Sequence, residues 1–93
     1  MTYLNERLPE TAEAFGKMRE SIFKDAALNT KTKELMAIAC SVLLRCEKCT
    51  AIHSQRAKDN GATEDEIAEA LSVSMFIAAG SQLHWTDVYE RIL

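Results

Sequence analysis

Leu35, Ile38, Ala39, Val42 and Leu43 stand at i, i+3, i+4, i+7 and i+8, the spacing that gathers apolar side chains along one face of an α-helix. No stretch of the chain alternates with period two for long enough to make a convincing strand. Only three Gly and one Pro interrupt 93 residues, so little breaks helical runs elsewhere. The expectation is an all-α fold: one domain over residues 1–93, a bundle of about five helices.

Punctuation divides the rest. Pro9 suits the first position of a helix, where its missing N–H is not needed. Phe15, Met18, Ile22 and Phe23 follow it at helical spacing, and that helix ends near Asp25. Asn29 or Thr30 can cap a second helix carrying the apolar stripe. A third runs from about Cys46 to Asp59 and stops at Asn60-Gly61, a left-handed C-terminal signal. Thr63-Glu64-Asp65-Glu66 is a capping box that opens a fourth helix, with Ile67, Ala68, Leu71, Met75, Phe76 and Ala79 on its apolar face. After Gly80-Ser81 a last helix is expected over about Ser81 to Arg91. Many apolar positions are Ala, among them Ala37, Ala39, Ala68, Ala78 and Ala79, so helices can approach closely. A chain of this size buries too little surface for much stability alone, which favours a homo-oligomer.

Charge and hydropathy narrow the function classes. Net charge is −3 with no Lys/Arg cluster, which argues against a nucleic-acid surface. The longest apolar stretches, near Leu35–Leu44 and Leu71–Ala79, are too short to cross a bilayer. The first residues, Met1 to Arg7, lack the basic-then-apolar layout of a secretory signal, so a cytoplasmic chain is expected. Three cysteines are too few for a disulfide scaffold, and in a reducing compartment close spacing points to catalysis or metal.

The informative stretch is Cys46-Glu47-Lys48-Cys49-Thr50-Ala51-Ile52-His53. Spacings of three, four and seven set Cys46, Cys49 and His53 on one helix face. Both cysteines fall at or near the first turn, where unpaired N–H groups and the helix dipole favour an anion. The thiolate is the nucleophilic form, and Arg45 and Lys48 add positive charge nearby. His53, one turn further on, could exchange a proton with Cys49. Two thiols so spaced can close a disulfide with little backbone movement, one resolving a sulfenic acid formed on the other. A thioredoxin-type motif would need a βαβ setting, and c-type haem attachment would need His where Thr50 stands. Zinc competes: two Cys and one His make three ligands, with Cys40, His84 or Glu34 as candidates for the fourth. Glu34, early in the second helix and beside its stripe, could be a proton carrier if a helical hairpin returns the third helix's first turn toward it. By position alone it reads as a solvated first-turn acid. Cys40 reads as a buried structural thiol, and His84-Trp85 as packing in the last helix.

Glu34, then Cys46-x-x-Cys49-x-x-x-His53, all within helices, resembles the carboxymuconolactone decarboxylase family, and more closely its alkyl hydroperoxidase D (AhpD-like) branch. The likeness runs from about Thr30 to Gly80. It takes in the Lys-x-Lys-Glu-Leu opening, the apolar helix, the dithiol helix, the Asn-Gly stop and the Thr-x-x-Glu-Ile-x-Glu-Ala-Leu helix. The resemblance implies an all-helical fold assembling into dimers, trimers or hexamers. It implies reduction of hydroperoxides, or exchange with a disulfide, with no bound cofactor and an external dithiol reductant, protein or lipoyl-type. By the same resemblance Cys49 is the inner, attacking thiol, Cys46 the resolving one, and Glu34 with His53 the proton relay. Lys48 departs from the branch, which has a second His between the cysteines; lysine stabilises a thiolate but shuttles protons poorly near pH 7, so disulfide reduction gains weight against peroxide turnover. The decarboxylase branch shares the fold without depending on the dithiol; a non-redox enzyme using Glu34 and His53, or a non-catalytic zinc-binding oligomeric scaffold, are the alternatives.

Overall fold

The structure is a computed structural model that describes residues 2–93. Six helices joined by turns and bends account for those residues, which fall into two compact units divided between Thr30 and Lys31. The first holds α1 (Thr2–Arg7) and α2 (Pro9–Phe23). Pro9 occupies the start of α2 as its locked φ allows. The N–H of Leu8 donates to the Leu4 carbonyl at 2.6 Å, so the chain passes from α1 to α2 almost without a linker. α1 was not anticipated: it is six residues long, too short for an apolar periodicity to show. Beyond α2, the Asp25 carboxylate accepts the Thr30 N–H at 2.7 Å, and the Thr30 hydroxyl lies 2.7 Å from the Phe23 carbonyl. Thr30 is therefore already the first residue of the next helix, with Asp25 satisfying one of its open N–H groups.

The second unit is built on α3 (Thr30–Leu43), α4 (Glu47–Asp59) and α5 (Glu64–Trp85), followed by the short α6 (Val88–Ile92). Ile38 of α3, Ala57 of α4 and Ile67 of α5 form its core, with Leu35, Ala62 and Leu71 packed around them. Ala57 is fully buried, and its small side chain lets α4 lie close against its neighbours. Ser74 fastens α5 to α3, its hydroxyl donating to the Ala39 carbonyl at 3.1 Å.

Helix ends follow local chemistry. At the end of α4 the N–H of Ala62 donates to the Ala57 carbonyl and that of Gly61 to the Lys58 carbonyl, a Schellman motif with Gly61 at φ +89°. Thr63 and Glu66 then exchange side-chain-to-backbone bonds at 3.1 and 2.9 Å to open α5. The second oxygen of Glu66 takes Lys31 Nζ at 2.9 Å, joining the starts of α5 and α3. That bond, then the Thr63 N–H, holds the Glu66 carboxyl below its usual range.

One expected boundary is absent. α5 runs through Gly80-Ser81 to Trp85, and the break comes at Thr86-Asp87. A single helical Gly costs only about 1 kcal/mol against Ala, and Gly80 does not take a positive φ. Among the described residues no helix is long and apolar enough to cross a membrane.

Candidate active site

The site is assembled at the turn between α3 and α4. Where α3 ends, the N–H of Cys46 donates to the Ser41 carbonyl at 2.9 Å and that of Arg45 to the Val42 carbonyl at 3.1 Å. This is again a Schellman closure, but its left-handed position is held by Arg45, φ +58°, where glycine is the usual occupant. A left-handed conformation costs a residue with a Cβ about 1–2 kcal/mol. The motif delivers Cys46 as the N-cap of α4, in extended conformation, and its Sγ accepts the N–H of Cys49 at 3.2 Å. Thr50 closes the first turn, its N–H and hydroxyl both reaching the Cys46 carbonyl, at 3.0 and 2.8 Å.

Cys46 and Cys49 are joined as a disulfide, their Cα atoms 5.3 Å apart. Both are half-buried, and Glu47 between them is exposed. The two sulfurs thus stand at the positive end of a 13-residue helix, among N–H groups that favour negative charge on either one.

Seven residues into α4, His53 meets Glu34 of α3, Nδ1 to Oε2 at 2.6 Å. The Glu34 side chain is 3% exposed and that of His53 18%. Glu34 is therefore not the solvated first-turn acid its position suggests. The most buried positions of α3 are Glu34, Ile38 and Ser41, so its packed face is turned to one side of the apolar stripe, and Leu43 is exposed. The antiparallel hairpin also places Glu34 opposite the second turn of α4 at His53, where the sequence suggested the first turn. A buried carboxylate needs a partner, and His53 supplies it. The pair fixes the imidazole's orientation by a charge-assisted contact.

Other candidates separate from this group. Cys40 is exposed, not buried, because the turned face of α3 carries it outward. His84 and Trp85 line a separate cleft at the α5–α6 junction with Asp87 and Arg91; Trp85 is 70% exposed, so it is not packed as expected. Of the candidates for a fourth zinc ligand, Glu34 is engaged by His53, while Cys40 and His84 are exposed. Among the described residues no three His, Cys, Asp or Glu are grouped to hold a metal ion. The left-handed conformation of Arg45 has no signal in the sequence, because no Gly or Asn marks the end of α3. A cleft of about 420 Å³ lies beside Cys46, lined also by Val42, Arg45, Glu47, Thr50 and Ala51.

Residues 9–86 match the carboxymuconolactone decarboxylase family. Among curated sequences, an uncharacterized protein of the cox locus of Paracoccus denitrificans is 35% identical over 69 residues, covering 74% of this chain and 62% of that protein. A Cupriavidus necator protein is 29% identical over 77 residues, covering 83% and 68%. The chain thus spans somewhat under two thirds of the first relative's length. Among solved structures, a Methanobacterium thermoautotrophicum protein superposes with TM-score 0.84 at 40% identity, covering 90% of this chain and 94% of that one. A Legionella pneumophila protein of the same family gives TM-score 0.78 at 32% identity, covering 90% and 75%. A Thermotoga maritima family member, suggested to take part in an antioxidative response, gives 0.68 at 33% identity, covering 72% and 69%.

Proposed function

The chain belongs to the carboxymuconolactone decarboxylase family, and on that premise we propose that it is a thiol-dependent oxidoreductase of the alkyl hydroperoxidase D branch. Its substrates are hydroperoxides or disulfides, and its working groups are Cys46 and Cys49. The observation that carries this reading is the pairing of those two sulfurs across the first turn of α4, at a helix N-terminus that favours a thiolate.

The cycle starts from the reduced pair. The Cys49 thiolate attacks the outer oxygen of a hydroperoxide, the O–O bond breaks, and the alkoxide leaves as an alcohol once it takes a proton. Cys49 is then a sulfenic acid. Cys46 attacks its sulfur, water departs, and the Cys46–Cys49 disulfide remains. With a disulfide substrate the first attack instead releases a thiol and leaves a mixed disulfide, which Cys46 resolves. An external dithiol, protein or lipoyl-type, returns two electrons and two protons. His53, with Nδ1 committed to Glu34, carries protons through its other nitrogen. Glu34 sets the ring's orientation and balances the charge when the ring is protonated. Lys48 between the cysteines favours thiolates over proton transfer, which supports disulfide reduction as the stronger activity.

The reading includes self-association as a trimer or hexamer. Met75, Phe76 and Ile77 of α5 stand exposed, Phe76 by 72%, and a soluble monomer rarely leaves such side chains together in water.

Peroxide and disulfide consumption, driven by a dithiol reductant, tests the proposal in the native protein and in Cys49→Ser. The expected result is turnover that the substitution abolishes. Equal rates in the two proteins overturn it, and activity surviving in a Cys46→Ser, Cys49→Ser double variant points to the non-redox alternative.

A further inference from the structure

Arg45 occupies a position that the backbone alone would give to glycine. Its φ of +58° closes α3, and the closing hydrogen bonds from Arg45 and Cys46 run through main-chain atoms that any residue has. The side chain is exposed and takes part in no hydrogen bond or ion pair among the described residues. A conformational cost is therefore met at a residue whose side chain returns nothing to the fold. That side chain lines the cleft of about 420 Å³ beside Cys46, whose other walls include Val42, Thr50 and Ala51. Thr50 turns its hydroxyl back onto the Cys46 carbonyl, so the wall it presents is largely its methyl. The cleft is thus largely apolar, with the Arg45 side chain and Cys46 among its walls, and the flexible arginine stem lets the guanidinium reach a ligand lying there.

Glu47 also lines it and carries the opposite charge. Its place has an ordinary structural reason, since an acid in the first turn of α4 is stabilised by the helix dipole. Arg45 has no such reason, being one residue before the cap. Lys48, exposed on the next turn, adds a second positive charge to the same end of α4.

We propose that Arg45 is a specificity-determining residue that binds the anionic end of an amphiphilic substrate, a carboxylate on an apolar body, in the cleft beside Cys46. This deepens the oxidoreductase reading and rests on it for the identity of the reacting sulfur. The substrate class is then a carboxylate-bearing hydroperoxide or disulfide: the chain lies along Val42 and Ala51, the carboxylate meets the guanidinium, and the reacting bond reaches the cysteine pair. A planar guanidinium matches a carboxylate two-to-two, which an ammonium cannot do.

Binding and turnover can be separated. Octanoate and octanamide, equal in shape and differing in charge, are titrated into the oxidised protein, and backbone amide shifts at Val42, Thr50 and Ala51 are followed by NMR. The expected result is that octanoate binds about three- to tenfold more tightly, the range of a partly exposed charge-assisted pair. In Arg45→Gly, which suits the backbone, the ratio falls to about one with no loss of thermal stability; Arg45→Lys keeps part of the preference. The reduced protein is then assayed with an aryl disulfide bearing carboxylates and with a neutral pyridyl disulfide, and the same ratio is read in rates. Equal affinities in the native protein, a preference retained in Arg45→Gly, or no shift from either probe overturns the proposal. Should binding discriminate while neither disulfide nor cumene hydroperoxide is turned over, the oxidoreductase reading fails and the anion site stands.

Discussion

Cys46 serves two helices at once: its N–H ends α3 on the Ser41 carbonyl, and its sulfur opens α4 on the Cys49 N–H. The consequence is a residue whose backbone is fixed by the end of one helix and whose sulfur is fixed by the start of the next, beside its disulfide bond to Cys49. Glu34 and His53 are placed differently, by burial and by each other. Glu34→Gln keeps an oxygen for the imidazole but removes the charge, so the fold persists while proton transfer suffers. Under the oxidoreductase reading, peroxide or disulfide turnover falls about a hundredfold, the low end for an acid–base relay, with the helical circular dichroism unchanged. Unaltered turnover would show the pair to be structural only. Glu34→Leu removes the carboxylate that the half-buried His53 meets through Nδ1. A destabilisation of about 1–3 kcal/mol follows, measurable by urea titration.

Among the helices, some boundaries were legible and others were not, for reasons visible in particular residues. Asn60-Gly61 and Thr63-x-x-Glu66 mark ends because their side chains or conformational freedom make the terminal hydrogen bonds. Gly80-Ser81 offered similar letters, yet the helix passes through, since one Gly is too weak a breaker against the bonds on either side. The end of α3 carried no letter at all, because Arg45 takes a conformation its chemistry does not advertise. The spacing of Cys46, Cys49 and His53 could be read directly, whereas the burial of Glu34 depended on which way α3 turns its face. Thr63→Ala removes one half of the capping box and costs about 1 kcal/mol in thermal or chemical unfolding. Folding lowers the Glu66 carboxyl's pKa through Lys31 and the Thr63 N–H. The folded chain therefore binds that proton less readily than the unfolded chain, and the stabilisation is complete above the ordinary carboxylate range. It is lost as pH falls through the depressed value. Lys31→Met flattens this part of the stability–pH curve on the acid side and leaves its neutral-to-basic side less changed in shape; an unchanged acid limb would contradict it.

For the molecule as a whole, the second unit's buried apolar core is small, Ile38, Ala57 and Ile67, while Phe76, Met75 and Trp85 are left largely in water. Ile38→Ala, at a side chain 1% exposed, should cost about 2–4 kcal/mol by urea titration, enough to unfold a marginal domain. Self-association is expected to restore what the core lacks: sedimentation gives a trimer or hexamer for the native chain, and Phe76→Asp shifts it toward monomer, whereas a native monomer at all concentrations contradicts this part of the account. Two sulfurs in a reversible bond are the centre of the whole reading, and thiol counting tests them most directly. The fully reduced chain has three thiols. After brief exposure to one equivalent of peroxide one thiol is expected to remain, that of exposed Cys40, with all three recovered by dithiothreitol. Three thiols persisting through the treatment, or a loss that dithiothreitol does not reverse, would contradict it.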